Sequence, residues 1–198
     1  MGESNVNLAA LIGSRICHDL ISPIGAINNG LELLGMGGNT QGPEMDLISD
    51  SVGNAGARIR FFRIAYGAAS EQPVGRAEVV GVLQDLSTGS RLVTQWASQG
   101  SHPRSEVRLA FLALQCCETA MPFGGTVHLM CDAGKWMIMG TADKLKIDTA
   151  LWSNLTSSEN AQNVTPAQVQ FALLPLYAAE LGRAVSTDIT ATNVTIRF

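Results

Sequence analysis

A stripe of apolar side chains governs what the start of this chain can fold into. Leu8, Ile12, Ile16, Leu20, Ile24, Ile27, Leu31 and Leu34 recur at steps of three or four residues, the repeat of one helical face and not of a strand. Within it stands Cys17-His18-Asp19-Leu20-Ile21-Ser22-Pro23-Ile24. His18 is two residues from both Ile16 and Leu20, about 200° around the helix from each, so it points away from the core face into water. An exposed neutral imidazole offers a lone pair as a nucleophile. Pro23 removes one helical hydrogen bond at a cost of ~3 kcal/mol. A kink is expected there, and a cost of this size is easier to explain beside a functional residue than in a plain structural helix.

This first helix is expected to start with capping side chains at Ser4 to Asn7 and to end at Gly35-Met36-Gly37-Gly38. Gly42-Pro43-Glu44 begins a second, with proline in the first helical position and Glu44 and Asp46 near the positive end of the dipole. Its stripe is Met45, Ile48, Val52, Ala55, Ile59, Phe62 and Tyr66, a heptad-like seam. Two such helices joined by a glycine-rich loop form an antiparallel hairpin that cannot cover both seams. Two hairpins from two chains can, as a four-helix bundle, so a homodimer is expected.

Ala68 to Gly75 reads as a linker, dividing the chain into a helical hairpin over 1–70 and a second domain over 76–198. In the second domain, Val79 to Leu86 and Arg104 to Met121 read as helices, and Arg91 to Ala97 as a strand. Thr126 to Cys131 and Trp136 to Met139 form a hairpin closed by Asp132-Ala133-Gly134-Lys135. Thr165-Pro166-Ala167-Gln168 has the capping-box form and opens a helix to Leu181, stopped by Gly182. Ala184 to Asp188 and Asn193 to Phe198 supply two more strands. The fold class is α+β, a helical hairpin followed by a two-layer sandwich.

The net charge of −4 argues against nucleic acid as a partner. No apolar run reaches the ~20 residues that span a bilayer, and the first residues lack the form of a signal peptide, so a cytoplasmic protein without a membrane partner is expected. Cys17, Cys116, Cys117 and Cys131 lack CxxC spacing and read as reduced, buried thiols. His102 and His128 carry no ligand spacing for a metal. Trp96, Trp136 and Trp152 read as core or domain-contact anchors. Arg15, Arg58, Arg60 and Arg63 are either a solvated helical face or the complement of an acidic pocket on a partner.

The run from His18 to Leu34 and the segment Arg58-Ile59-Arg60-Phe61-Phe62-Arg63-Ile64-Ala65-Tyr66-Gly67 resemble the ChpT-type histidine phosphotransferases of alphaproteobacteria. Around His18 the chain also resembles the phosphorylation box of two-component histidine kinases. The order of elements in the second domain is similar to the kinase ATP-binding domain, but its chemistry is missing. No asparagine lies between Asn54 and Asn154, Gly140-Thr141-Ala142-Asp143-Lys144 lacks a second glycine, and Gly182 is the only glycine after Gly140. The resemblance implies a degenerate domain that binds no ATP, and a phosphoryl carrier without kinase activity. It implies a phosphohistidine at His18, loaded from a receiver-domain aspartate of a hybrid histidine kinase and unloaded onto a response regulator. Magnesium for that transfer comes with the receiver, and no cofactor belongs to this chain. Asp19 orients the imidazole and Ser22 helps seat the phosphoryl group. Arg15, Ile21, Ile24, Gly25, Arg60 and Arg63 are the partner-binding candidates. The alternatives are an ATP-dependent histidine kinase and a non-catalytic dimeric adaptor for response regulators.

Overall fold

The computed structural model describes residues 2–37, 42–68, 72–156 and 164–198. The first apolar stripe forms α1 (Gly2–Gly37), which begins ahead of the Ser4–Asn7 start expected from capping and runs on through Pro23. Helix α2 (Pro43–Ala65) has Gly42 as its N-cap, Pro43 in its first turn, and Glu44 and Asp46 beside the positive end of the dipole. The glycine-rich loop after Gly37 lies largely outside the described residues. The two helices approach closely at Gly30. A Cβ there would stand 2.6 Å from Cγ1 of Ile48, so only glycine fits at this contact.

The expected linker is partly structured. Pro73–Gly75 is a short strand, β1, paired antiparallel with β3 (Ser101–Pro103), which carries His102. Between them lie α3 (Arg76–Ser87) and β2 (Leu92–Trp96). Then follow α4 (Arg104–Ala120), β4 (Gly125–Asp132) and β5 (Lys135–Thr141). The β4–β5 turn places Ala133 and Gly134 at φ of 46° and 76°, the left-handed pair of a tight hairpin turn. The short helix α5 (Thr149–Ser153), unmarked in the sequence reading, is capped by Asp148, whose carboxylate accepts from the Leu151 N–H at 3.1 Å. The capping box at Thr165 is present, but its first turn, Pro166–Gln168, is 3₁₀ and leads into α6 (Gln170–Glu180). Strands β6 (Ser186–Ile189) and β7 (Asn193–Arg197) close the chain.

The main sheet runs β2-β4-β5-β7-β6, with β2 parallel to β4 and the other pairs antiparallel. The parallel pair requires a crossover, and α4 is that crossover. It is buried almost all round, including Leu109, Leu112, Ala113, Cys116, Cys117 and Ala120. It packs on β4, β5 and β7 as well as on α2 and α6. The crossover ends at Gly124, whose φ of 102° and close approach to the Arg91 carbonyl, 2.5 Å from where a Cβ would stand, exclude any side chain.

One buried cluster joins this region to the end of the hairpin. Phe61, Phe62, Ile64 and Ala65 belong to it together with Phe111, Leu129 and Ile138, and the Phe61 and Phe111 rings stack at 4.7 Å. Trp96, Trp136 and Trp152 are buried in the same cluster. The α1 stripe divides in two. Leu8, Ile12, Ile16 and Leu20 of the stripe, with Leu11 beside them, pack against the cluster; further on, Ile24 and Leu31 are exposed, as are Met45, Val52 and Ile59 of α2, while Ile27 and Leu34 are half-buried. The expected α2 seam is therefore split, with Phe62 buried and the heptad-spaced Met45, Val52 and Ile59 uncovered. Among the described residues, no helix is long and apolar enough to cross a membrane.

Candidate functional site

His18 lies where the covered part of α1 meets the uncovered part. Its side chain is 78% exposed, the orientation its place opposite the stripe requires. Its Nδ1 is 3.1 Å from Oδ1 of Asp19. An ionised carboxylate only accepts, so the hydrogen of this pair sits on Nδ1 and the lone pair is on Nε2. Asp19 itself is mostly covered and is held on its other oxygen, where Nε of Arg15 donates to Oδ2 at 2.7 Å and Nη1 of Arg58 stands 3.8 Å away. Arg58 also donates to the Asn54 side chain at 2.9 Å. Pro23 has no N–H to offer the Asp19 carbonyl one turn back.

Beside this network lies a cleft of about 270 Å³, lined by Arg15, Asp19, Asn54, Arg58, Gln115 and Glu118 among others. Enclosure by the cleft walls pushes the Glu118 carboxyl up to about 7, with the Asp19 charge adding to the rise and Arg15 and Arg58 opposing it. The residue nevertheless remains open to solvent, so the energy behind this rise is screened. Tyr66 donates to the Gln115 side chain at 2.9 Å, and burial pushes its hydroxyl up to about 12.

The remaining sequence candidates separate. Ser22 and Ile21 are exposed near His18, Ile21 at 69%, and Ile24 is also exposed. At Gly25 a Cβ would meet nothing within 4 Å, so the surface there is open. Arg63 is exposed on α2. Arg15 and Arg60 are engaged within the chain: Arg15 with Asp19 and the Ala167 carbonyl, Arg60 with Asp85 at 2.6 Å. Neither is the bare surface cation its spacing suggested. Cys17 is exposed beside His18 and Cys131 is only partly covered, which corrects the expectation of four buried thiols. Cys116 and Cys117 are buried, and that burial pushes both thiols up, Cys117 to about 12, which leaves them unreactive.

His102 and Glu106, four residues apart, and the distant Cys131 bring potential ligand atoms within 4.8 Å of one another. The Glu106 carboxylate is engaged on both oxygens, by Arg183 at 2.5 Å and by the Trp136 indole at 2.8 Å, and His102 bonds Ser98 at 2.6 Å.

Arg58 as a partner of Asp19, and Asn54 as a cleft residue, were not picked out in the sequence. A signal for Arg58 existed. In an antiparallel hairpin that pairs Gly30 with Ile48, stepping back along α1 to Asp19 and forward along α2 by the same number of residues reaches Ile59, next to Arg58. Gln115 and Glu118 sit on α4 and come close only through tertiary packing.

An exposed imidazole with a buttressed carboxylate, on a helical hairpin joined to an α+β layer, offers a nucleophilic nitrogen to an incoming group. Comparison with known proteins gives the family. Residues 76–193 match the family model described as the histidine phosphotransferase C-terminal domain, and the chain belongs to the histidine phosphotransferase family. It is 32% identical over 200 residues to the protein phosphotransferase ChpT of Brucella abortus (strain 2308), covering 96% of this chain and 94% of that protein. A solved structure of a bacterial phosphotransferase superposes with a TM-score of 0.82 at 31% identity, over 97% of this chain and 95% of that one.

Proposed function

We propose that this chain relays a phosphoryl group through a phosphohistidine at His18, between the receiver-domain aspartate of a hybrid histidine kinase and that of a response regulator. The observation that carries this reading is the exposed Nε2 of His18 with Nδ1 held by Asp19 at 3.1 Å. In the loading step the Nε2 lone pair attacks phosphorus in line. The bond from phosphorus to the donor aspartate oxygen breaks, and that oxygen keeps the electron pair as a free carboxylate. The positive charge developing on the ring is offset by Asp19. The second receiver reverses the step with its own aspartate. Such transfer depends on positioning and on neutralising charge at the phosphoryl oxygens. Ser22, on the His18 face, helps seat the group. Magnesium comes with the receiver, and no cofactor of this chain takes part.

The uncovered seam of Ile24, Leu31, Met45, Val52 and Ile59 supports a homodimer in which two hairpins form a four-helix bundle. Ile21, Gly25 and Arg63 supply a docking face for the receiver, with the sheet region adding affinity and partner choice.

The test is a relay with purified, phosphorylated receiver domains from the source organism. The wild-type protein is expected to take up phosphate that is acid-labile and alkali-stable and to pass it to a second receiver. His18→Gln is expected to accept none, with a melting temperature near that of the wild type, because an exposed polar side chain adds little to stability. Phosphate uptake by His18→Gln overturns the assignment, and a stoichiometric calorimetric isotherm with ATP and Mg²⁺ favours a kinase instead.

A further inference from the structure

Arg15 makes two strong contacts that point in different directions. Its Nη1 donates to the Ala167 carbonyl at 2.6 Å, and its Nε donates to Oδ2 of Asp19 at 2.7 Å. Ala167 lies in the 3₁₀ turn Pro166–Gln168, on the far side of the sequence from the hairpin. That turn is fixed by its capping box: the Gln168 side-chain oxygen accepts from the Thr165 N–H at 3.2 Å and from its hydroxyl at 3.0 Å. The guanidinium fork therefore spans a backbone carbonyl of the sheet region and the carboxylate that holds the histidine. With Oδ2 occupied by Arg15, Oδ1 is the oxygen left to Nδ1 of His18. A lysine carries its three donors on a single nitrogen and cannot reproduce both arms of this fork.

We propose that Arg15 is a positioning residue: it links the seating of the 165–168 turn to the tautomer of His18, keeping the hydrogen on Nδ1 and the lone pair on Nε2. The hairpin then presents its reactive nitrogen only while the sheet region is docked at that turn. The inference rests on the assignment of phosphoryl acceptance to His18, and it gives Arg15 a task distinct from receiver docking.

The test uses the full chain and a small phosphoryl donor, so that docking plays no part. Phosphoramidate transfers its phosphoryl group to Nε2 as its own P–N bond breaks and ammonia leaves. Nitrogen NMR of the His18 ring at one fixed pH reads which nitrogen carries the hydrogen. Arg15→Gln is expected to shift the ring toward the mixed tautomers of a free histidine and to slow phosphorylation by about tenfold, the effect of losing one charge-assisted hydrogen bond. Arg15→Lys is expected to restore the charge but only part of the signature and rate. Gln168→Ala, remote from the imidazole, loosens the turn and is expected to move both readouts the same way by about twofold to threefold. An Arg15→Gln protein with the wild-type ring signature and rate overturns the proposal. If Arg15→Gln melts far below the wild type, Gln168→Ala decides, and an unchanged ring signature there overturns it equally. Phosphorylation of His18 by phosphoramidate but by no receiver defeats the relay reading and leaves the role of Arg15 intact.

Discussion

The two halves of this molecule treat their apolar residues in opposite ways. Helix α4 has thirteen of its seventeen residues buried, walled in by the sheet and by two helices. The far parts of α1 and α2 leave Ile24, Leu31, Leu33, Met45 and Val52 facing solvent. The sheet region closes most of its apolar surface on itself, leaving Phe123 and Val93 among its exceptions, whereas the hairpin leaves much of its own uncovered.

The contrast breaks most sharply at Phe111, stacked on Phe61 where the two regions meet. Phe111→Ala is expected to cost about 3–5 kcal/mol, read by chemical denaturation, and to loosen the end of α2 as well as α4. A much smaller loss would mean that the shared cluster is not what joins the regions. Next comes the seam. Ile59, 54% exposed, is expected to change association and not folding. Ile59→Asp places a charge in the proposed bundle, so light scattering should report monomers and the concentration dependence of melting should vanish. Ile48, which packs on Gly30 within the hairpin, is the contrasting site, since a charge there acts on the fold of one chain. Ile21→Asp is expected to leave the dimer intact and to weaken receiver binding by about 1–3 kcal/mol, measured by titration calorimetry. A dissociated dimer would place Ile21 in the seam instead.

The smallest effect belongs to the cleft. Because the Glu118 carboxyl is raised to about 7 from its ordinary 4.5, the folded chain holds a proton that the unfolded chain releases. Stability therefore falls as pH rises from about 4.5 to about 7, and it levels off above that. Glu118→Gln removes this loss, so it should match the wild type in acid and exceed it at pH 8. The gain is at most about 1 kcal/mol, because water reaches the cleft. Melting curves at the two pH values check it, and equal curves at pH 8 would show that the cleft does not enclose the carboxyl.

The hairpin was legible in the sequence because it is governed by local rules: a 3.6-residue stripe, a proline at the head of α2, and a histidine placed by arithmetic on the outer face. The same stripe misled over Arg15 and Arg60, because helical spacing gives a direction but not the partner that waits there. For Arg15 that partner is a carbonyl from the far end of the chain. The β4–β5 hairpin and the capping box at Thr165 were legible from turn chemistry. The parallel pairing of β2 with β4, the small β1–β3 ribbon and the cleft with Gln115 and Glu118 were not, since each depends on segments brought together by the core. The resemblance to the phosphotransferase family supplied a functional meaning for His18 that exposure alone does not carry.

The part of the α1 stripe that packs on the shared cluster ends at Leu20, and the missing backbone hydrogen bond of Pro23 follows three residues later. In mechanical terms α1 is a beam clamped at one end, with its softest section just beyond the clamp. His18 stands on the clamped side. A load on the far arm, which leans on α2 at Gly30, is therefore expected to be taken up beyond the histidine and not at it.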